Sequence, residues 1–467
     1  MAVTLEKLVS LSKRRGFIFP GSEIYGGLAN SWDYGPLGIQ LKRNIEQAWW
    51  RRFVESRSDM VGIDPAILMN PNVWVASGHV ANFNDAQVDC KQCKKRYRAD
   101  HLIEEKNPSV KVEGKSIQEL DQLILELKIA CPHCGMRQFT PARIFNLLFK
   151  TSLGVLEGEQ SAVYLRGELA QGMFVNFRTI AESMRMRLPF GIAASGKVFR
   201  NEITPGNFTF RTLEFDLQEF EYFVPPQEWQ KWFEYWLEEM WAWTRELGLN
   251  PGKLRVREHT KDELSHYSSR TVDIEYETPM GWKELFGLAY RTDFDLKNHS
   301  EKSGKDLKYT DTVTQERFFP HVVEPTFGLT RTVLICLLNA YEEIQGGRTT
   351  TTESVKETEM LLRIPYHLAP IQVAVLPLSR KDSLMQRSRE ITRELSGRWR
   401  VQYDDTGSIG KRYRRQDEVG TPFCVTCDFD SETDHKVTVR DRDSMGQDRI
   451  AIDQVDCYLQ ERFKKPL

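Results

Sequence analysis

Residues 196–220 read GKVFRNEITPGNFTFRTLEFDLQEF, two strand-like runs joined by a loop around Pro205-Gly206-Asn207. Lys197, Arg200 and Arg211 face Glu202, Glu214 and Glu219 within this one hairpin. In the second run, period-two alternation puts Leu213, Phe215, Leu217, Glu219 and Glu221 on one face. Thr212, Glu214, Asp216, Gln218 and Phe220 fall on the other. A face that mixes Phe215 with Glu219 is unusual for a packed core, because an unpaired buried carboxylate is costly. Either a ladder of internal ion pairs or a bound cation answers that cost, and the hairpin by itself leaves both open.

Outward from the hairpin, the chain alternates helix-period and strand-period segments. ANSWDYGPLG (29–38) is rich in turn residues and leads into a helix. There Leu37, Leu41, Ile45, Trp49 and Phe53 recur every fourth residue as one apolar stripe. AILMNP (66–71) reads as a buried strand ended by Pro71. Between Pro225 and Leu249, Trp229, Trp232, Phe233, Trp236, Met240 and Trp241 form an aromatic stripe of the kind that packs a core. TVDIEYET, WKELFGLAYRTDFDL and FFPHVVEP alternate as antiparallel strands with one exposed face do. TRTVLICLLNAYEE reads as a helix, and QGGRTTTTESVKETE reads as a linker. From about Pro365, IQVAVLPL, RVQYDD, PFCVTCDF and KVTVRDR, with three helices, make a compact α/β unit.

The chain has 467 residues, too many for one ordinary core, with 28% charged residues and a net charge of −2. Nucleic-acid binding would therefore use local basic patches. The first residues lack the long apolar core of a signal peptide, and no stretch approaches a membrane span, so a reducing cytoplasm is the expectation. There, Cys90-Lys-Gln-Cys93 and Cys131-Pro-His-Cys134 have the paired-knuckle spacing of a tetrahedral, structural Zn²⁺ site. His133 reads as a spacer. Cys424 and Cys427 lie in a β-branched run, where residues three apart point to opposite faces, so they read as core, as do Cys336 and Cys457.

Phe199-Arg200-Asn201-Glu202 followed by Arg211 and Phe215 resembles the second signature motif of class II aminoacyl-tRNA synthetases. Phe327-Gly328-Leu329-Thr330-Arg331 resembles their third, and the helix before AILMNP their first. More narrowly, the chain resembles the bacterial glycyl-tRNA synthetases of the homodimeric type. ANSWDYGPLG, ILMNPNVWVASGHVANFND, RADHLIEE, AQGMFVNF, RTDFDL, SIGKRYRRQDEVGTPF and VTVRDRD carry that resemblance from about Leu8 to the C-terminus. It implies an α+β fold with a class II catalytic domain (residues 1–350) on an antiparallel sheet with flanking helices. A zinc-ribbon-like insertion (89–140), a linker (351–365) and a C-terminal α/β anticodon-binding domain (366–467) complete it.

The resemblance also implies the chemistry: ATP activates glycine to glycyl-adenylate, and glycine passes to the 3′ end of tRNA(Gly). Arg200 and Arg331 are the implied catalytic cations, on the α- and γ-phosphates, with Phe215 stacked under adenine. Further ATP contacts fall to Asn201, Glu202, Phe210, Arg211, Thr212, Leu213, Glu214, Glu284, Leu285, Gly328, Leu329 and Thr330, with Glu284 a Mg²⁺ ligand. Glycine contacts fall to Arg98, Glu168, Phe215, Asp216, Leu217, Gln218, Glu219, Glu324, Pro325, Thr326, Phe327 and Gly328. An acidic ring of Glu168, Glu219 and Glu324 grips the ammonium, and the bulk of Phe327 excludes larger amino acids. The implied partners are ATP, glycine, tRNA(Gly) and a second copy of the chain, with no membrane.

This chain departs from the family's usual pattern at Gly167 and Leu169 (LRGELAQG for LRPETAQG), at Leu213 and Leu217, and at Thr330. The cluster Lys411, Arg412, Arg414 and Arg415 reads as a solvated face or a phosphate-binding patch, and the resemblance favours the patch. The rival function is a non-catalytic nucleic-acid-binding relative, which would lack the ATP-binding arginines.

Overall fold

The computed structural model describes every residue except 1–2, 108–109, 111, 113–114, 155–161, 204–205, 347, 349–357 and 465–467. Pro205 of the hairpin loop and residues 351–357 of the expected linker thus lie outside the described residues.

The charged hairpin is the middle of a seven-stranded sheet. Its strands run, in spatial order, Leu254–Glu258, Arg270–Thr278, Gly281–Thr292, His321–Gly328, Glu214–Val224, Phe190–Phe199 and Met60–Gly62. All neighbours pair antiparallel except the last two strands, which are parallel. Both faces of the central strands are covered, so the expected exposed face is not there. Phe220, Tyr222, Phe286, Leu288 and Phe327 point into one aromatic and aliphatic core. The helices Pro36–Trp50, Trp229–Glu246 and Leu329–Ala340 pack on it through Leu41, Ile45, Trp49, Trp236, Met240 and Val333. The two periodic stripes are indeed core.

The opposite face carries Ile192, Ala194, Val198 and Leu217 under Leu169, Met173, Phe174 and Phe177 of the Ala170–Ser183 region. The acidic residues Glu219 and Glu324 share this second face, since register pairs Glu219 with Thr326 and with Ala194.

Several local expectations are corrected. AILMNP is not a buried strand: Ile67 and Leu68 are exposed, and Pro71 opens the helix Pro71–Ala76 with Asn70 as its side-chain cap. Proline suits that first helical position because the missing N–H has no partner there anyway. The helix of TRTVLICLLNAYEE ends at Ala340, and Tyr341–Ile344 pairs antiparallel with Glu359–Leu362, so part of the expected linker is strand. TDFDL leaves its strand for the helix Phe294–Ser303.

Residues 84–146 hold a separate three-stranded sheet, Asn84–Asp89 between Arg96–Arg98 and Arg143–Asn146, packed against the helices Ala99–Lys106 and Ile117–Glu126. The C-terminal sheet has the order Val401–Tyr403, Val373–Pro377, Phe423–Cys427, Lys436–Asp441, Gln447–Ala451. Its first three strands are parallel and the rest antiparallel. The last of these strands was not legible in the sequence. Cys424 and Cys427 do face opposite sides, one against Ala374 and Leu376, the other in the main C-terminal core. Cys457 is exposed and is not core, because its position on the final helix turns it away from buried Val455 and Leu459.

Candidate active site

Two features of the second sheet face meet at the hairpin. The first is a cavity of about 90 Å³ lined by Arg200, Glu202, Thr209, Phe210, Arg211, Thr212, Phe215, Leu217, Glu284, Thr326, Gly328, Thr330 and Arg331. Arg200 leaves the end of its strand, anchored by Nε donating to the Gly167 carbonyl at 3.1 Å. Its guanidinium stands 5.4 Å from the centre of the Phe215 ring and 5.2 Å from that of Phe83. Arg331, in the first turn of the Leu329–Ala340 helix, lies 4.7 Å from the Phe210 ring centre and pairs with Glu284 at 2.8 Å. That cation holds the half-exposed Glu284 carboxyl below the usual range. Arg211 stands 4.0 Å from Glu202. Arg98 pairs with Asp85 at 3.0 Å, and burial pushes Asp85 up to about 6 against the pull of Arg98. Glu202 and Arg211 contribute to the field at Asp85, so Arg98 sits toward this end of the site.

The second feature is a knot of buried carboxylates beside the cavity. One oxygen each of Glu219, Glu221 and Glu324 lie within 4.8 Å of one another, and all three residues are buried. Glu219 accepts from the Thr326 hydroxyl at 2.8 Å and from the Leu169 amide at 3.2 Å. Burial and the charge of Glu168 push the Glu219 carboxyl up. Glu168 itself lies 3.3 Å from His79 and 3.7 Å from Arg291. The His79 ring and the Arg291 guanidinium overcome burial and hold the Glu168 carboxyl well below the usual range.

Arg291 is the internal counter-cation. Its side chain is 1% exposed and bonds Asp295 at 2.8 and 3.0 Å and Glu324 at 2.8 Å. Its charge centre lies 3.8 Å from the Tyr267 ring centre. Gln171 ties the knot from above, donating to Glu168 at 2.7 Å and Asp295 at 2.9 Å while its oxygen meets His299 at 2.6 Å. Of the two alternatives left open by the hairpin, internal ion pairs are present. One guanidinium neutralises part of the ring, and the carboxylates outnumber it.

The expected site residues separate by sheet face. Asp216 and Gln218 point away from the knot: Asp216 pairs with Lys42 at 2.6 Å, and Gln218 donates to the Glu46 carbonyl at 3.2 Å. Pro325 and Phe327 share the far side of their strand, and Phe327 packs 5.1 Å from the Phe53 ring and 4.9 Å from the Phe286 ring. Phe327 therefore does not fill the space beside the substrate as its bulk suggested. Leu285 and Leu329 belong to the same core. Glu214 is exposed on Lys197 at 2.7 Å, and Asn201 and Leu213 make backbone bonds to Leu147 and to Asn30. Arg291, Asp295, Gln171, His79, His299 and Glu221 were missed. Only the i,i+4 pair within RTDFDL and the continuation of the acidic alternation to residue 221 signalled any of them.

Residues 372–462 match the family model described as an anticodon binding domain. The whole chain is 53% identical to the glycine–tRNA ligase of Caldanaerobacter subterraneus subsp. tengcongensis, covering 99% of each. It is 54% identical to the glycine–tRNA ligase of Geobacillus thermodenitrificans, over 99% of this chain and 98% of that one. The Geobacillus kaustophilus enzyme is also 54% identical, over 99% and 100%. The chain belongs to the glycine–tRNA ligase family.

Within this family member three of the departures have local explanations. Leu169 is fully buried in the core over the second sheet face, and its amide, which needs no particular side chain, reaches Glu219. The Thr330 hydroxyl caps the Asp216 amide at 2.9 Å, a structural bond an acid would also accept. A Cβ at Gly167 would stand 3.1 Å from Leu148 and 3.2 Å from Phe83, so the residue is held small by its neighbours.

The four cysteines of the ligase insertion converge. Cys90 and Cys134 sulfurs are 3.6 Å apart, as are those of Cys93 and Cys131, and all four lie within 4.8 Å. Tetrahedral zinc with 2.3 Å bonds requires sulfur separations of about 3.8 Å, so the set fits that ion. The Tyr97 hydroxyl, 3.3 Å from Cys131, fixes that ligand from outside, and His133 is exposed, a spacer. The apolar core of this unit is small, so a zinc ion held by the four thiolates would add to the stability of its sheet: Cys131→Ser should remove about one zinc per chain by elemental analysis. The same variant should make residues 84–146 the first site of limited proteolysis.

The basic cluster is a correction. Arg412 is buried and donates to the carbonyls of Pro377, Asp405 and Gly407, Arg415 pairs with Asp404, and Arg414 with Glu359. Only Lys411 of the four is exposed. Arg412 thus ties the domain together, while Arg414 and Arg415 are half-buried in ion pairs, so the cluster is not a fully solvated face.

Proposed function

We propose that the chain activates glycine with ATP and then charges tRNA(Gly), with Arg200, Phe215 and Arg331 on the nucleotide and the carboxylate knot on the amino acid. The observation that carries this reading is Thr326. It lines the cavity flanked by the arginines, and its hydroxyl holds Glu219. Ammonium recognition and phosphoryl chemistry are thus one strand residue apart.

In the reaction, the glycine carboxylate attacks the α-phosphorus of ATP and a P–O bond to the leaving pyrophosphate breaks. Negative charge grows on the phosphoryl oxygens, and Arg200, pre-set by the Gly167 carbonyl and the Phe215 ring, stabilises it without reorganising. Arg331 covers the adenine opposite Phe215 and meets the γ-phosphate once it leaves Glu284. Glu284 would then be free to hold Mg²⁺, which would supply neutralisation of the phosphate charge. The ammonium replaces the missing positive charge among Glu168, Glu219 and Glu324. Transfer follows when a terminal ribose hydroxyl of the tRNA attacks the acyl carbon and AMP leaves.

We further take residues 1–350 as the catalytic domain, 89–140 as a zinc-bearing insertion, 351–365 as the linker and 366–467 as the anticodon-binding domain. The support is the separate apolar cluster of each unit and the family match at 372–462. A homodimer joined through the first-motif helix Pro36–Trp50, working in the cytoplasm, completes the proposal. Among the described residues no helix is long and apolar enough to cross a membrane.

The test is exchange of labelled pyrophosphate into ATP with glycine, alanine, serine, threonine and proline in turn. Glycine should support exchange at least about a hundredfold better than any other. Equal exchange with alanine, or none with glycine, would refute the reading.

A further inference from the structure

The carboxylate knot contains one member with no assigned task. Glu221 is 0% exposed, and neither of its carboxyl oxygens has a hydrogen-bond partner, although it points to the same face as Glu219. Most buried carboxylates keep partners because the isolated charge is so costly. The charged groups around it come from several elements. Glu219 is on its own strand, Glu324 on the adjoining strand His321–Gly328, Arg291 one strand further on Gly281–Thr292, Asp295 on the helix Phe294–Ser303, and Glu168 ahead of the helix Ala170–Ser183. Tyr267, His79 and His299 lie behind Arg291 and Glu168.

Only Arg291 in this group is a permanent cation, and its bonds go to Asp295 and Glu324. Glu221 faces further acids with only the charge of Arg291, which is bonded elsewhere, to offset them, and burial together with the charge of Glu324 pushes its carboxyl well up. Three buried carboxylates this close cannot all ionise together.

We infer that Glu221 is a positioning residue that keeps a proton in the knot of the ligand-free protein, and that glycine binding expels that proton to solvent. Rested on the glycine-binding reading above, the step balances. The protonated protein and zwitterionic glycine give the complex plus one hydrated proton, and the ammonium supplies the positive charge that the proton had supplied. No bond of glycine is broken. Only a ligand carrying its own cation discharges the knot, so Glu221 makes the site answer to an ammonium and not to a neutral amine.

The sign follows from linkage. The free-state carboxyl lies above its usual range and the ammonium lowers it, so proton release occurs between the two values. Glycine affinity rises with pH across that window and levels off above it, where the knot has already ionised.

The experiment is titration calorimetry of the zinc-loaded full chain with glycine, in two buffers of different ionisation enthalpy. The wild-type chain should release about one proton per glycine near neutral pH. Glu221→Gln should release less than about a third as many, with a glycine KM that no longer falls as pH rises, while Glu221→Asp should retain the release. Wild-type binding with no proton released overturns the inference, whether or not the variants fold. So does release from Glu221→Gln equal to wild type. Absence of any glycine binding would instead strike the functional reading on which the inference rests.

Discussion

Arg200→Ala should lower glycine-dependent pyrophosphate exchange by about a thousandfold, the loss found when a preorganised donor to a developing anion is removed. The reason is local. Arg200 is held between two aromatic rings and one carbonyl, at the mouth of the cavity. No other guanidinium among the described residues shares that set of anchors. Alanine leaves Phe215 and the sheet untouched, so the circular dichroism spectrum and melting temperature should stay near wild type, and binding of tRNA(Gly) should change by less than about threefold. Arg200→Lys should recover little, since a point charge on a flexible stem does not reproduce a planar fork. Exchange within tenfold of wild type, or a matching loss of tRNA binding, would remove Arg200 from the proposed role.

Arg291→Ala should be the most destabilising single change in the catalytic sheet, by about 3–5 kcal/mol, because it strands buried charge. The guanidinium satisfies Asp295 and Glu324 and lies near Glu168, all three of which are buried. Without it, those carboxylates must take up protons, and the lost stability should be partly restored on lowering the pH. The sign is fixed by the direction of the shift. His79 and Arg291 together hold the Glu168 carboxyl well below its usual value, so the stability they supply is present above the unfolded value and is lost as pH falls through the folded one, and removing Arg291 takes away its share. The variant therefore shows a flatter acid limb than wild type. Urea unfolding followed at several pH values measures both effects. A loss under about 1 kcal/mol would mean that the knot does not depend on its arginine.

The strands and helices that carry the site were legible because their periods are strong. The apolar stripe from Leu41 to Phe53 and the alternation through Phe215, Leu217 and Glu219 correspond to the observed faces. The cysteine pairs were legible because two short spacings suffice to bring four sulfurs together. What the sequence could not reveal depends on contacts distant along the chain. Arg291 meets Glu168 and Glu324 only because two strands and a helix-capping loop converge. The side of the sheet on which Phe327 lies depends on which face the Pro36–Trp50 helix covers, so its bulk alone misled. Arg412 of the helix Ile409–Val419 failed in the same way: charge on a polar helix looked like surface, yet the carbonyls of Pro377, Asp405 and Gly407 hold it buried.

The central claim is a single geometry: guanidinium groups around a triphosphate, abutting an acid-lined pocket for the smallest amino acid. The most direct measurement is a crystal structure with a non-hydrolysable glycyl-adenylate analogue. The account predicts the ammonium within hydrogen-bond reach of Glu219 and Glu324, a phosphoryl oxygen on Arg200, and adenine between Phe215 and Arg331. An analogue bound elsewhere, or with its ammonium remote from those carboxylates while Arg331 stays on Glu284, would contradict it.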